Sequence, residues 1–183
     1  MITTLYISVE YELNKVKCDE FQTRVLNIFW AIILLLGLVV SVSIFFSAGI
    51  DNTSTVTVVD AETAAPLVTY EVAIADTYTA RLRGLSGTEA LPADSGMLFV
   101  HPREDTHAYV MREMAYPIDI IFIDTTGTIT TIHTAAPEDV PESQLTRYRG
   151  TGRYVLEVPA GSADRHDVAV GDRVRLPDGV STL

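Results

Sequence analysis

Nineteen consecutive residues, Ile28 to Phe46, carry no charge, and this run constrains the chain more than any other feature. It reads IFWAIILLLGLVVSVSIFF. Roughly eighteen such residues suffice for one transmembrane helix. Trp30 stands near its start, where interfacial aromatics are favoured. Gly37, Ser41 and Ser43 are small residues of the kind such helices tolerate. Lys15, Lys17 and Arg24 precede the run, and the next cation is Arg81. The positive-inside rule then predicts a single-pass cell-membrane protein with residues 1–27 in the cytoplasm and the C-terminal part outside. A cleaved signal peptide is the alternative. Against it, 27 residues is a long leader segment, and the exit at Phe46-Ser47-Ala48 has a bulky Phe where a small residue is wanted.

The chemistry on either side agrees with an anchor. Cys18, the one cysteine, precedes the run, so the outer part has no disulfide and no lipoprotein cysteine. Cys18 is read as an inert thiol, with acylation as its alternative. Asn52-Thr53-Ser54 matches an N-glycosylation acceptor, with Asn52 as the acceptor residue. The chain has a net charge of −11 and yet a mean hydropathy of +0.23. Residues 51–183 hold 20 Asp and Glu against ten Arg, a balance of −10, and no Lys. The acidity thus belongs to the outer part and the hydropathy largely to residues 28–46. It excludes nucleic acid as a partner, which requires a basic footprint. A Lys-free, acidic, Thr-rich surface suits a halophilic protein, in which salt screens carboxylate repulsion.

Beyond the run, the pattern predicts an all-β domain with two short helices. Residues 47–66 read as a linker with a first strand at Thr55–Val59. Val68, Tyr70, Val72 and Ile74 alternate along a strand, Leu67–Ala75. Asp76-Thr77 can cap a helix, Tyr78–Arg83, that Gly84 ends. Short strands follow at Met97–Val100, Tyr109–Arg112 and Ile118–Ile123. Asp124-Thr125-Thr126-Gly127 makes a turn into Thr128–His133. Residues 134–147 read as a loop, Arg153–Val158 as a strand, Ala160–Val168 as a helix and Arg173–Leu176 as a last strand. Seven or eight short strands favour an antiparallel β-sandwich or a jelly-roll-like small barrel. The core domain is 67–176, and 177–183 is a C-terminal tail.

The runs Arg81-Leu82-Arg83-Gly84-Leu85 and Gly96-Met97-Leu98-Phe99-Val100 resemble the family known as domain of unknown function 192. So do Tyr109-Val110-Met111-Arg112, Pro117-Ile118-Asp119-Ile120-Ile121-Phe122-Ile123-Asp124, Tyr154-Val155-Leu156-Glu157-Val158-Pro159-Ala160-Gly161 and Gly171-Asp172-Arg173-Val174. Ser86, Thr88, Val110 and Glu113 depart from its usual pattern of Met, Arg, Trp and Asn. The resemblance implies a compact β-sandwich or jelly-roll-like fold and no assigned activity.

Candidate sites are few. His101, His107, His133 and His166 have no compact metal-ligand spacing. A softer set, His107, Met111 and Met114 with Met97, would suit Cu(I), although methionines also fill core gaps. No Gly-x-Ser-x-Gly elbow occurs, since Gly84-Leu85-Ser86-Gly87 lacks that spacing. No phosphate-binding glycine motif occurs either, and no cofactor is implied. Asp119 sits in an otherwise apolar strand, so it is either buried and paired or faces a cleft. Arg81, Arg83 and Arg112 are its possible partners, in a structural bridge or at a binding site with Met111. Glu157, on a second strand, makes an acid–base pair with Asp119 the leading catalytic option. The first reading is a ligand- or partner-binding envelope module; a carboxylate-dependent hydrolase and a structural accessory of a membrane complex are the alternatives.

Overall fold

A computed structural model describes residues 53–180. The apolar run, Cys18 and Asn52 lie outside the described residues. Among the described residues, no helix is long and apolar enough to cross a membrane.

The chain forms β1 (Thr53–Val59), β2 (Pro66–Ala75), α1 (Tyr78–Arg83), β3 (Ser95–Tyr109), β4 (Ile118–Ile123), β5 (Ile129–Ala135), β6 (Tyr148–Pro159), α2 (Ser162–Arg165) and β7 (Arg173–Arg175). They make one curled sheet in the order β5-β4-β6-β3-β2-β1-β7. Its two edges approach each other. Thr128 bridges Arg173, Val174 N donates to Gly127 O at 2.7 Å, and Ile129 N donates to Asp172 O at 2.8 Å. The small-barrel form of the sequence expectation therefore describes the fold better than two stacked sheets. The sheet is also not wholly antiparallel. β2 and β3 run parallel, because α1 and the loop after it carry the chain back to the end from which β2 started.

Local signals placed several elements well. Thr77 caps α1 through Oγ1, which accepts from Ala80 N at 3.1 Å, and Gly84 ends the helix with a φ of 52°. Other boundaries moved. Pairing carries the sheet to Thr53, into the expected linker. Val180 is buried in the core, so the expected tail contributes to the domain. Tyr109–Arg112 is not a separate strand. β3 continues through the polar stretch His101-Pro102-Arg103-Glu104-Asp105 and ends at Tyr109. The reason is non-local: Asp105–Tyr109 pair with Tyr148–Gly152 of β6. The expected helix at 160–168 contracts to α2, one turn long.

Two apolar clusters flank the sheet. The inner one fills the curl with Val56, Val58, Tyr70, Val72, Leu98, Ile121, Ile123, Tyr154 and Leu156. The outer one holds Leu85, Phe99, Met111, Ile118, Ile120, Phe122 and Val155. β4 is buried at every position because it serves both. The first half of β6 folds over that outer face. Thr130 Oγ1 donates to Thr151 O at 2.6 Å, and a Cβ added to Gly150 would fall 2.3 Å from the Phe122 ring. Only glycine allows this approach.

Candidate functional site

The two acidic candidates lie on adjacent strands and face opposite sides of the sheet. Asp119 pairs across from Val158, and Ile120 across from Glu157. Side chains alternate along a strand. Asp119 therefore shares the inner face with Val158, and Glu157 the outer face with Ile120. They do not converge on one substrate bond, and an acid–base pair between them has no geometric basis.

Asp119 is fully buried and fully used. Its Oδ1 accepts from Thr134 Oγ1 at 2.8 Å on β5, and its Oδ2 accepts from Ala163 N at 3.0 Å. It thus satisfies a buried first-turn backbone donor of α2 and ties that turn to the sheet. Tyr70 Oη and Ser162 Oγ, 2.7 Å apart, make a second tie beside it. Of the arginines expected as its partners, Arg83 is exposed and the other two bond elsewhere. Arg81 Nη1 donates to Val100 O at 2.8 Å and to Asp76 O, which fastens α1 to β3. Arg112 donates to Leu82 O and pairs with Glu142 at 3.7 Å.

Glu157 is the opposite case. It is 6% exposed, and among the described residues its carboxyl has no hydrogen-bond or ion-pair partner. Its strand neighbours are Met97 on β3 and Ile120 on β4. Met97, Met114, Tyr109 and Tyr116 are partly buried and pack on the same outer cluster, with Met111 inside it. Burial alone pushes the Glu157 carboxyl up to about 8, so it holds its proton at neutral pH. It also acts on its neighbours. Burial and then Glu157 hold the Tyr109 hydroxyl above the usual phenol range. Tyr116 is raised by burial and by Glu157, against the opposing pull of its hydrogen bond to Thr88.

A third group was not legible as a site in the sequence. His101 and His107 stack at 3.5 Å with planes 11° apart, and His101 Nε2 lies 3.0 Å from Tyr109 Oη. Burial, then His107, then Arg81 push His101 down to about 4. Burial lowers His107 as well, and its Nε2 is buried without a hydrogen-bond partner. Parallel rings direct their lone pairs in parallel planes, so this pair does not converge on one ion. Among the described residues, no group of three or more His, Cys, Asp or Glu is placed to hold a metal. Met111 and Met114 belong to the outer cluster beside Glu157, whereas His107 belongs to this stack. What joins His101 to His107 is a shift of register: Val100 faces Tyr154 and Asp105 faces Gly152, so five steps of β3 oppose two of β6 and the segment between bulges, bringing the two rings together. It becomes readable only once that bulge in β3 is known.

Two shallow surface concavities lie on the β1–β2 side of the sheet, away from these groups. One is lined by Thr55, Thr69, Glu71 and Asp94, the other by Ser54, Thr57, Arg175 and Asp178.

A family model described as DUF192, uncharacterized ACR, matches residues 58–176, so the match begins within β1. No curated protein matches. Two solved structures resemble the chain. One is a protein named as a candidate transcription regulator from Sinorhizobium meliloti 1021. It is 29% identical, with a TM-score of 0.60 over 68% of this chain and 93% of that one. The other is a protein of unknown function from Novosphingobium aromaticivorans. It is 28% identical, with a TM-score of 0.58 over 68% of this chain and 85% of that one.

Proposed function

Since the chain belongs to the DUF192 family, we propose that its β-domain is a membrane-tethered binding module held outside the cell, with Glu157 as the group that recognises the ligand. The observation that carries this is the buried, unpartnered Glu157 carboxyl. A carboxyl with no protein partner and little contact with water loses most of its hydration, which costs stability. Leu or Met would fill the same space at no such cost. A protonated carboxyl offers one donor and one acceptor, so its complement is a neutral polar group such as an amide or hydroxyl. Met97, its neighbour on β3, and Tyr116, which feels its charge, are partly exposed and supply an adaptable rim. With Asp119 committed to α2, a single carboxyl supports recognition better than two-carboxylate hydrolysis. The uncharged run at 28–46 supports the tether. The Lys-free acidic surface suits a high-salt exterior.

The test is native mass spectrometry of the full-length chain, extracted from its own membrane in mild detergent. The expected result is a bound small molecule that is lost in Glu157→Leu while circular dichroism stays native. Wild-type and variant spectra with no difference in bound mass would reject the reading.

A further inference from the structure

α1 carries an apolar face that nothing in the domain covers. Tyr78 is 74% exposed and Leu82 is 54% exposed, and no residue of this helix is buried. Four residues apart on a helix, they stand on one face. Arg83 beside them is exposed and lies in the last turn. The position of α1 is informative. Thr53 opens β1 opposite Ala73, β2 ends at Ala75, and α1 starts at Tyr78. The helix therefore leaves from the same end of the β1–β2 pair at which the chain enters the domain. Only residues 47–52 separate the uncharged run from β1, and they reach at most about 25 Å.

We propose that the Tyr78–Leu82 face of α1 rests in the headgroup boundary of the bilayer that residues 28–46 cross, which docks the domain against its own membrane. The inference rests on the tether in the reading above. A tyrosine places its ring at the acyl boundary and its hydroxyl in water, Leu82 adds apolar depth, and Arg83 suits a lipid phosphate. Two side chains fall far short of the roughly 800 Å² per partner of a stable protein interface. On a short tether they suffice, because the linkage supplies a high local concentration of surface. A zwitterionic surface is the fitting one, since residues 51–183 carry a balance of −10 from 20 acids and ten Arg.

The test uses the full-length chain in phosphatidylcholine vesicles whose acyl chains are brominated near the headgroup. Trp30 is the sole tryptophan and reports on the uncharged run. Two further single-tryptophan chains carry Trp30→Phe with either Tyr78→Trp or Val170→Trp. Val170 is exposed and sits three residues before Arg173, which pairs with Val59 at the far end of β1 from Thr53. The expected result is quenching of native Trp30, at least about twofold quenching of the Tyr78→Trp probe at interfacial depth, and none of the Val170→Trp probe. If Trp30 is quenched but the Tyr78→Trp probe behaves like the Val170→Trp probe, docking through α1 is overturned and the tether stands. If Trp30 itself is unquenched, the tether fails and the docking with it.

Discussion

Replacing Glu157 with Gln removes a buried carboxyl that has no partner among the described residues and so changes how the domain responds to pH. Burial raises this group from 4.5 to about 8. The native state therefore keeps a proton that the unfolded chain has released. Between those two values the unfolded state binds fewer protons, so stability falls as pH rises. The contribution is intact below about 4.5 and lost by about 8. A shift of that size corresponds to about 5 kcal/mol at most, taking about 1.4 kcal/mol for each pH unit. Glu157→Gln keeps the shape and cannot ionise. The assay is denaturant unfolding of the full-length chain in detergent, followed by circular dichroism of the β-domain at pH 5, 7 and 9. Wild type and variant should be similar at pH 5, and the variant should be the more stable by several kcal/mol at pH 9. Equal slopes against pH in both proteins would refute the argument, because the carboxyl would then be solvated or paired in the native state.

Three further outcomes follow from the same geometry. Asp119→Asn should lower stability by about 2–3 kcal/mol, since one of the two oxygens that accept from Ala163 N and Thr134 Oγ1 becomes an amide donor, and a urea midpoint measures it; ligand retention should survive. Gly150→Ala should cost about 3 kcal/mol or more, because the added methyl would overlap the Phe122 ring; an unchanged melting temperature would contradict this. His101 is held down to about 4, so its neutral state stabilises the fold above about 6.5 and that stability is lost as pH falls toward 4. His101→Phe should flatten this acid limb while leaving the alkaline limb due to Glu157, which unfolding at pH 4 and 6.5 separates.

Much of this domain was legible in local sequence, and the limits of that legibility are specific. β2 and β4 follow from apolar patterning, and the limits of α1 follow from Thr77 and Gly84. The long course of β3 was not readable. His101–Asp105 has neither strand composition nor alternation, and it belongs to β3 only as a bulge between two stretches that pair with β6. The same failure hid the His101–His107 stack.

The sequence by itself determined that the acids gather beyond residue 50, that nineteen residues form an uncharged run, and that Asp119 and Glu157 stand on strands among apolar neighbours. Those properties depend on identity and local periodicity alone. Only the tertiary structure decided what the two acids do. Register between β4 and β6 turned them to opposite faces, gave Asp119 a backbone donor and a threonine, and left Glu157 beside Met97 with no partner among the described residues. Register is a pairing between residues about forty apart in the chain. No local pattern encodes it, because a slip of one residue would exchange the faces without changing a single letter.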